Sequence, residues 1–279
     1  MNLVVLLVQC FALLSSTRAG TINHDQVQPF AQPVPVTIAE RAAVKFKPQL
    51  YITQGRVSFP AVNAAGETSG GLKVTKGTEG CSEAPLGSQV CGRSTWYQDK
   101  WAMVFAWYFP KSFWDFDAKD RHYWASMVLW LDNPALHVET PKILGASLSH
   151  QLQKRQWMAT LTMAERRDAY FKQTNIPPMG FVGTQQIAQN RISRRRWNYT
   201  YVGGSNVSTR ISTTYWDSFE WLALTFSEVD GKFQDLIVWE QLTDDARAAL
   251  NSAEFGESKV PLNDHNLENT LKLAYPFLQ

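Results

Sequence analysis

Six ionisable side chains crowd the short span from Asp115 to His122: Asp115, Asp117, Lys119, Asp120, Arg121 and His122. Three carboxylates that close together could hold a hard divalent cation through oxygen ligands, and His122 could serve as a general base. Their spacing lacks the glycine and the terminal glutamate of a calcium loop between helices, so solvated loop carboxylates are the plainer reading. The runs on either side, Trp101–Phe109 and Tyr123–Leu131, are too short to span a membrane. They are rich in aromatic and β-branched residues and read as two core strands. Trp114 and Phe116 lie in the same loop, where they pack over the strands or face a membrane interface. A charged loop held by a rigid apolar frame is the usual setting for binding.

The chain around this frame has 279 residues, 44% hydrophobic and 19% charged, enough for a sizeable core. Residues 1–19 have an apolar stretch, Leu3–Leu14, followed by Ser15-Ser16-Thr17-Arg18-Ala19. This is the pattern of a secretory signal peptide, although it has no early Lys or Arg. No later run reaches transmembrane length. The expected location is therefore extracellular. Cys10 leaves with the signal, and the remaining pair, Cys81 and Cys91, favours one disulfide, with two free thiols as the alternative. Asn198-Tyr199-Thr200 and Asn206-Val207-Ser208 are glycosylation sequons at Asn198 and Asn206. Net charge is +2, but residues 151–210 carry ten basic residues against Glu165 and Asp168. That basic stretch could meet anionic lipid or glycan, and a solvated surface is the simpler reading; nucleic acid is not an expected partner of a secreted chain.

The frame needs neighbours to close a core. Residues 20–36, with three prolines, form an extended lead-in. Thr37-Ile38-Ala39-Glu40 is a capping box that opens a helix to about Phe46. Leu50–Thr53, Arg56–Phe59, Gln89–Tyr97, Lys142–Leu152, Tyr215–Ser227 and Phe233–Trp239 read as strands, the last two joined at Asp230-Gly231. Asn63–Gly71 is a glycine-rich turn. Thr162 caps a helix to about Lys172, Thr243 one through Leu250, and Asp264 one whose face is Leu267, Leu271 and Ala274. Residues 174–214 read as loop. Many short strands with a few helices predict a mainly β protein, an antiparallel β-sandwich with peripheral helices. Residues 37–279 are expected to form a single domain with a divergent basic region at 151–229.

Ala61–Leu72 (AVNAAGETSGGL), Ala106–Lys111 (AWYFPK), Arg121–Trp124 (RHYW), Val128–Pro134 (VLWLDNP), Leu236–Leu242 (LIVWEQL) and Phe255–Tyr275 follow one another in an order that resembles the necrosis- and ethylene-inducing-like proteins, the NLP family of plant-associated microbes. The resemblance covers roughly residues 40–150 and 230–275. It implies a β-sandwich similar to actinoporins and lectins, cytolytic members that bind plant sphingolipid headgroups, and a divalent cation, magnesium or calcium, held at one end of the sandwich.

The family's heptapeptide, Gly-His-Arg-His-Asp-Trp-Glu, falls on Lys119-Asp120-Arg121-His122-Tyr123-Trp124-Ala125. Arg121, His122 and Trp124 match. The ligating positions hold Asp120, Tyr123 and Ala125, and the family's upstream Asp is Ser112. Residues i and i+2 of a strand share a face, so carboxylates at 123 and 125 would converge on one cation. Tyr123 and Ala125 supply none. Asp120 is the one residual candidate ligand, so no bound metal and no other cofactor are expected. The resemblance also implies a cystine between the position of Arg56 and one near Cys81, which makes Cys81–Cys91 a replacement bridge.

The function expected from these residues is that of a secreted, non-cytolytic effector associated with virulence. It would be a monomer facing a host surface or apoplastic component, such as a sphingolipid headgroup or an immune receptor. A cytolysin with an altered lipid site and a non-toxic glycan-binding module are the alternatives. An enzyme is not expected: five histidines occur with no zinc, phosphate-loop or nucleophile-elbow pattern.

Overall fold

In the computed structural model the described residues are 20–53, 55–72, 75, 77–114, 117–118, 121–135, 143–149, 171–174, 186–189, 196–199, 209–216, 221–227, 229–275 and 277. The first strands are β1 (Thr21–Ile22), β2 (Gln49–Ile52) and β3 (Thr68–Ser69). The central ones are β4 (Gln89–Tyr97), β5 (Lys100–Phe109), β6 (Phe113–Trp114), β7 (Asp117–Ala118), β8 (Tyr123–Leu131) and β9 (Ile143–Ser149). Then come β10 (Phe171–Thr174), β11 (Gln186–Gln189), β12 (Arg196–Tyr199), β13 (Arg210–Trp216), β14 (Trp221–Phe226) and β15 (Asp235–Val238). The helices are α1 (Ile38–Lys45), α2 (Asp244–Ser252) and α3 (Leu267–Ala274).

Six strands form one sheet in the order β10-β9-β8-β5-β4-β15, and three form another, β14-β13-β2. The period-two alternation of β5 explains why both strands of the frame are apolar throughout. Met103, Phe105, Trp107 and Phe109 join Ile211 of β13, Leu224 of β14 and Phe46 after α1 in one buried cluster. Ala102, Val104, Ala106 and Tyr108 project to the other face, where Ala246 and Leu250 of α2 and Leu271 and Ala274 of α3 cover them. The six-stranded sheet is thus covered on both sides, and every residue of β8 is buried.

The mainly β sandwich expected from the sequence is what the chain forms. Thr37 caps α1 as anticipated: Glu40 N donates to Thr37 Oγ1 at 3.1 Å, while Val36 N and Thr37 N donate to the Glu40 carboxylate at 2.6 and 3.0 Å. Those bonds hold the Glu40 carboxyl below its ordinary range. Among the described residues no helix is long and apolar enough to cross a membrane.

Several local expectations are corrected. Asp230-Gly231 does not join a hairpin: it connects the two sheets, because β15 pairs in parallel with β4. Gly231 is needed there, since a Cβ would stand 2.3 Å from the Leu50 carbonyl carbon. The strand expected over Tyr215–Ser227 is the end of β13 and the whole of β14, an antiparallel pair. Residues 174–214 are not all loop, for they hold β11, β12 and the start of β13. Arg56–Phe59 forms a single bridge, Phe59 to Tyr108, and no strand. Phe171 and Lys172 are in β10, and the rest of the helix expected after Thr162 lies outside the described residues. Asp264 does not cap α3. Asn266 stands at that position without a side-chain bond to the helix, its amide donating to the Val260 carbonyl instead, and Asp264 is drawn to Arg93 at 2.8 Å.

Candidate functional site

The site expected from the sequence sits where β5 ends and β8 begins. Alternation along β8 divides its residues between the two faces of the sheet. His122 and Trp124 go with the helix-covered face, and Tyr123 and Ala125 belong to the inter-sheet core. Arg121 is exposed, whereas Lys119 and Asp120 lie outside the described residues, as do Asp115 and the side chain of Asp117.

His122 is held by residues from three separate stretches. The Tyr108 hydroxyl donates to Ser69 Oγ at 3.0 Å and is within hydrogen-bond distance of His122 Nδ1 at 2.7 Å. Ser69 Oγ also accepts from Gly71 N at 3.2 Å. Gly71 adopts a φ of +67°, and a Cβ there would come within 2.3 Å of the Arg121 carbonyl oxygen and 2.8 Å of His122 Cε1. Only glycine lets this turn approach so closely. Phe255 stands edge-on to His122 at 5.2 Å and to Trp124 at 5.7 Å, and Ser258 Oγ accepts from Trp124 N at 2.7 Å. Burial first, and the Arg121 charge second, pull the His122 imidazole down to about 4, so it is neutral near pH 7. The ring is half-buried and packed from several sides, so the arrangement fixes its position. Ser69, Gly71, Phe255 and Ser258 were not singled out from the sequence, although all lie within segments that carry the family resemblance.

Of the positions at which the resemblance implies metal ligands, Ser112, Tyr123 and Ala125 carry no carboxylate, and Asp120 lies outside the described residues. Ala125 is fully buried beside Met127 and offers no donor atom. Tyr123 is buried, its hydroxyl engages Ser149, and burial pushes its ionisation up, away from the phenolate a hard cation would require. Ser112 is also buried, at 1% exposure. Among the described residues no three histidine, cysteine, aspartate or glutamate side chains converge. The neighbouring Lys111 is buried as well, with its ammonium donating to Thr75 Oγ1 at 2.6 Å and to the Glu79 carbonyl at 2.7 Å, and burial lowers its pKa.

In place of the expected Cys81–Cys91 disulfide the structure holds two free, buried cysteines. Cys91 is fixed on β4 between Ala106 and Ile237, and burial pushes its thiol up to about 12. Cys81 is fixed instead by a turn: its sulfur faces the Thr78 carbonyl at 3.5 Å, with Lys111 and Arg56 nearby. Val57 N donates to the Cys81 carbonyl at 3.0 Å, which sets the Arg56 segment beside Cys81, where the family pattern has its cystine. Asn198 and Asn206 offer no test of glycosylation: only the backbone of Asn198 is described, and Asn206 lies outside the described residues.

Two packed sheets with flanking helices define a mainly β sandwich, and its structural relatives share a toxin fold. The model of the necrosis inducing protein (NPP1) family matches residues 40–274, and the chain belongs to that family. It is 64% identical over 279 residues to the NLP effector protein Pc109174 of Phytophthora capsici, covering 99% of this chain and 100% of that one. Among solved structures, one described as the non-toxic HaNLP3 protein matches with a TM-score of 0.66 at 33% identity, covering 92% of this chain and all of that one. NLPPya in complex with mannosamine matches with a TM-score of 0.69 at 31% identity, covering 93% of this chain and all of that one. These similarities support an effector of the NLP type.

Proposed function

We propose that this chain is a secreted NLP effector that acts at the host surface by binding, without a divalent cation, without catalysis and without killing plant tissue. The observation that carries the reading is the inter-sheet face of β8. Tyr123 and Ala125 share that face, as the family's carboxylates would, and neither is a carboxylate. Replacing two acids by a buried phenol and a methyl group removes the negative charge that would offset a divalent ion's dehydration. The frame meanwhile keeps its aromatic packing, so the fold survives the loss. A structural relative described as non-toxic supports the same reading.

Two measurements test it. Calorimetric titration of the purified protein with calcium and magnesium is expected to give no saturable heat at micromolar concentrations. Infiltration into a broad-leaved plant is expected to leave tissue green at doses where a cytolytic relative causes necrosis. Micromolar binding of either ion, or necrosis at such doses, overturns the proposal.

A further inference from the structure

The far end of the frame, about 30 Å from His122 along the ten residues of β5, carries a second set of aromatic side chains that the site above does not use. Strands β4 and β5 are joined by the tight turn Gln98-Asp99, in which Gln98 has a φ of +54°. Trp96 and Trp101 are directly opposite each other two positions from that turn. In a two-residue hairpin this is a non-hydrogen-bonded pair, where side chains approach most closely. Their rings meet at 5.4 Å and 77°, an edge-on contact that locks Trp96 in place. Yet Trp96 remains 50% exposed. On the other face of the same turn, Tyr97 packs on Tyr275 at 5.6 Å and Lys100 lies over Phe277 at 5.0 Å, which fixes the hairpin from behind.

We propose that the exposed Trp96 indole is a stacking platform for a hexose or hexosamine ring of a glycan. The proposal rests on the reading of the chain as a host-surface effector. An indole held rigidly and left half open presents an apolar plane at little entropic cost, which suits the apolar face of a pyranose. The groups beside it are polar. Gln98 is exposed, and Asp99 is exposed at 77% with its carboxylate tied to Lys100 Nζ at 2.9 Å. They supply the donors and acceptors that ring hydroxyls need, and Asp99 supplies a charge partner for a sugar amine. These same residues argue against insertion into a lipid bilayer, because the carboxylate lies at the tip, beyond the indole, and would be buried first. Two structural relatives have been solved with mannosamine and glucosamine, so hexosamines are a ligand class within reach of this fold.

The test is the indole N–H spectrum of the full secreted protein labelled with nitrogen-15 in tryptophan, with the Trp96 signal assigned from W96F. Titration with glucosamine and with a β-1,4-linked glucosamine oligomer is expected to move the Trp96 signal saturably. W96A is expected to weaken binding about ten-fold or more, and D99N to weaken binding of the amine-bearing sugars. If W96A fails to fold, the Trp96 signal of the unmodified protein and the D99N variant still decide. An unmoved Trp96 signal overturns the proposal. So does movement confined to Trp124, which would place the sugar at the His122 end. Movement with anionic phosphatidylserine vesicles and not with sugar overturns it in favour of a membrane contact. None of these results depends on metal binding or necrosis, so this proposal can fail while the proposed function stands.

Discussion

Tyr108 on β5 and His122 before β8 share a hydrogen bond of 2.7 Å, and the same hydroxyl donates to Ser69 at 3.0 Å. One buried oxygen therefore ties a strand, a turn and the end of the charged loop together. Removing it in Y108F takes this partner from His122 Nδ1 and leaves Ser69 with Gly71 N alone, inside an aromatic cluster. The expected loss is about 1–3 kcal/mol, read as a lower thermal midpoint; an unchanged midpoint would show that the bond contributes nothing.

The same imidazole predicts a pH dependence. The folded His122 titrates at about 4, below its ordinary value of 6.5. Between those values the unfolded chain binds the proton more readily, so stability rises with pH across this window and is level above it. The ring is partly open to solvent, which brings the contribution down to roughly 1–2 kcal/mol. Urea midpoints measured from pH 4 to 7 are expected to climb more steeply for the unmodified protein than for H122Q. Parallel slopes would be the contrary result.

Restoring one acid should not restore a site. Ala125 is fully buried in the inter-sheet core, so A125E places a carboxyl beside Trp107, its cross-strand partner, and Met127 on the same face. The expected penalty is about 3 kcal/mol or more, visible as loss of soluble, cooperatively unfolding protein. Added calcium is expected not to recover it. Recovery by calcium would mean that a cation cavity persists beside Ala125.

The thiols provide a chemical test of the cysteine geometry. Cys81 and Cys91 are both buried, and burial raises both thiols above their ordinary pKa. Neither is expected to react with a thiol reagent in the folded protein, and both should react once guanidinium unfolds it. Reductant should leave the thermal midpoint where it was. A mass two hydrogens lighter after unfolding without reductant would reveal a cystine.

What the sequence disclosed follows from how local each feature is. The strands of the frame and the cap of α1 depend on alternation and on a four-residue motif, and both were legible. The place of β15 was not, because its parallel partner β4 lies far back in the chain and the Asp230-Gly231 pair looks like a hairpin turn. Asp264 was mistaken for a helix cap because its attraction to Arg93 comes from another strand. At the site, the identities at 112, 123 and 125 were legible by position. The hold of Ser69, Tyr108 and Phe255 on His122 was not, since three distant segments meet only in the folded chain. The two cysteines follow the same rule: the secretory setting suggests a bond, whereas the fold carries Cys91 on β4 and Cys81 in a turn as free, buried thiols.

The pairing of β4 with β15 also orders events in time. Gln89, at the start of β4, donates to the carbonyls of both Phe30 and Asp235, and Gln32 accepts from Leu236 N and from Lys47 Nζ. The lead-in segment made first is therefore fastened by residues made near the end of synthesis. Until residue 236 has emerged, the outer edge of β4 is bare and the lead-in lacks the bond that Leu236 N makes to Gln32. Contacts of such long sequence separation slow folding and prolong the exposure of an unpaired strand, so a nascent chain must be kept from pairing with its neighbours until β15 arrives.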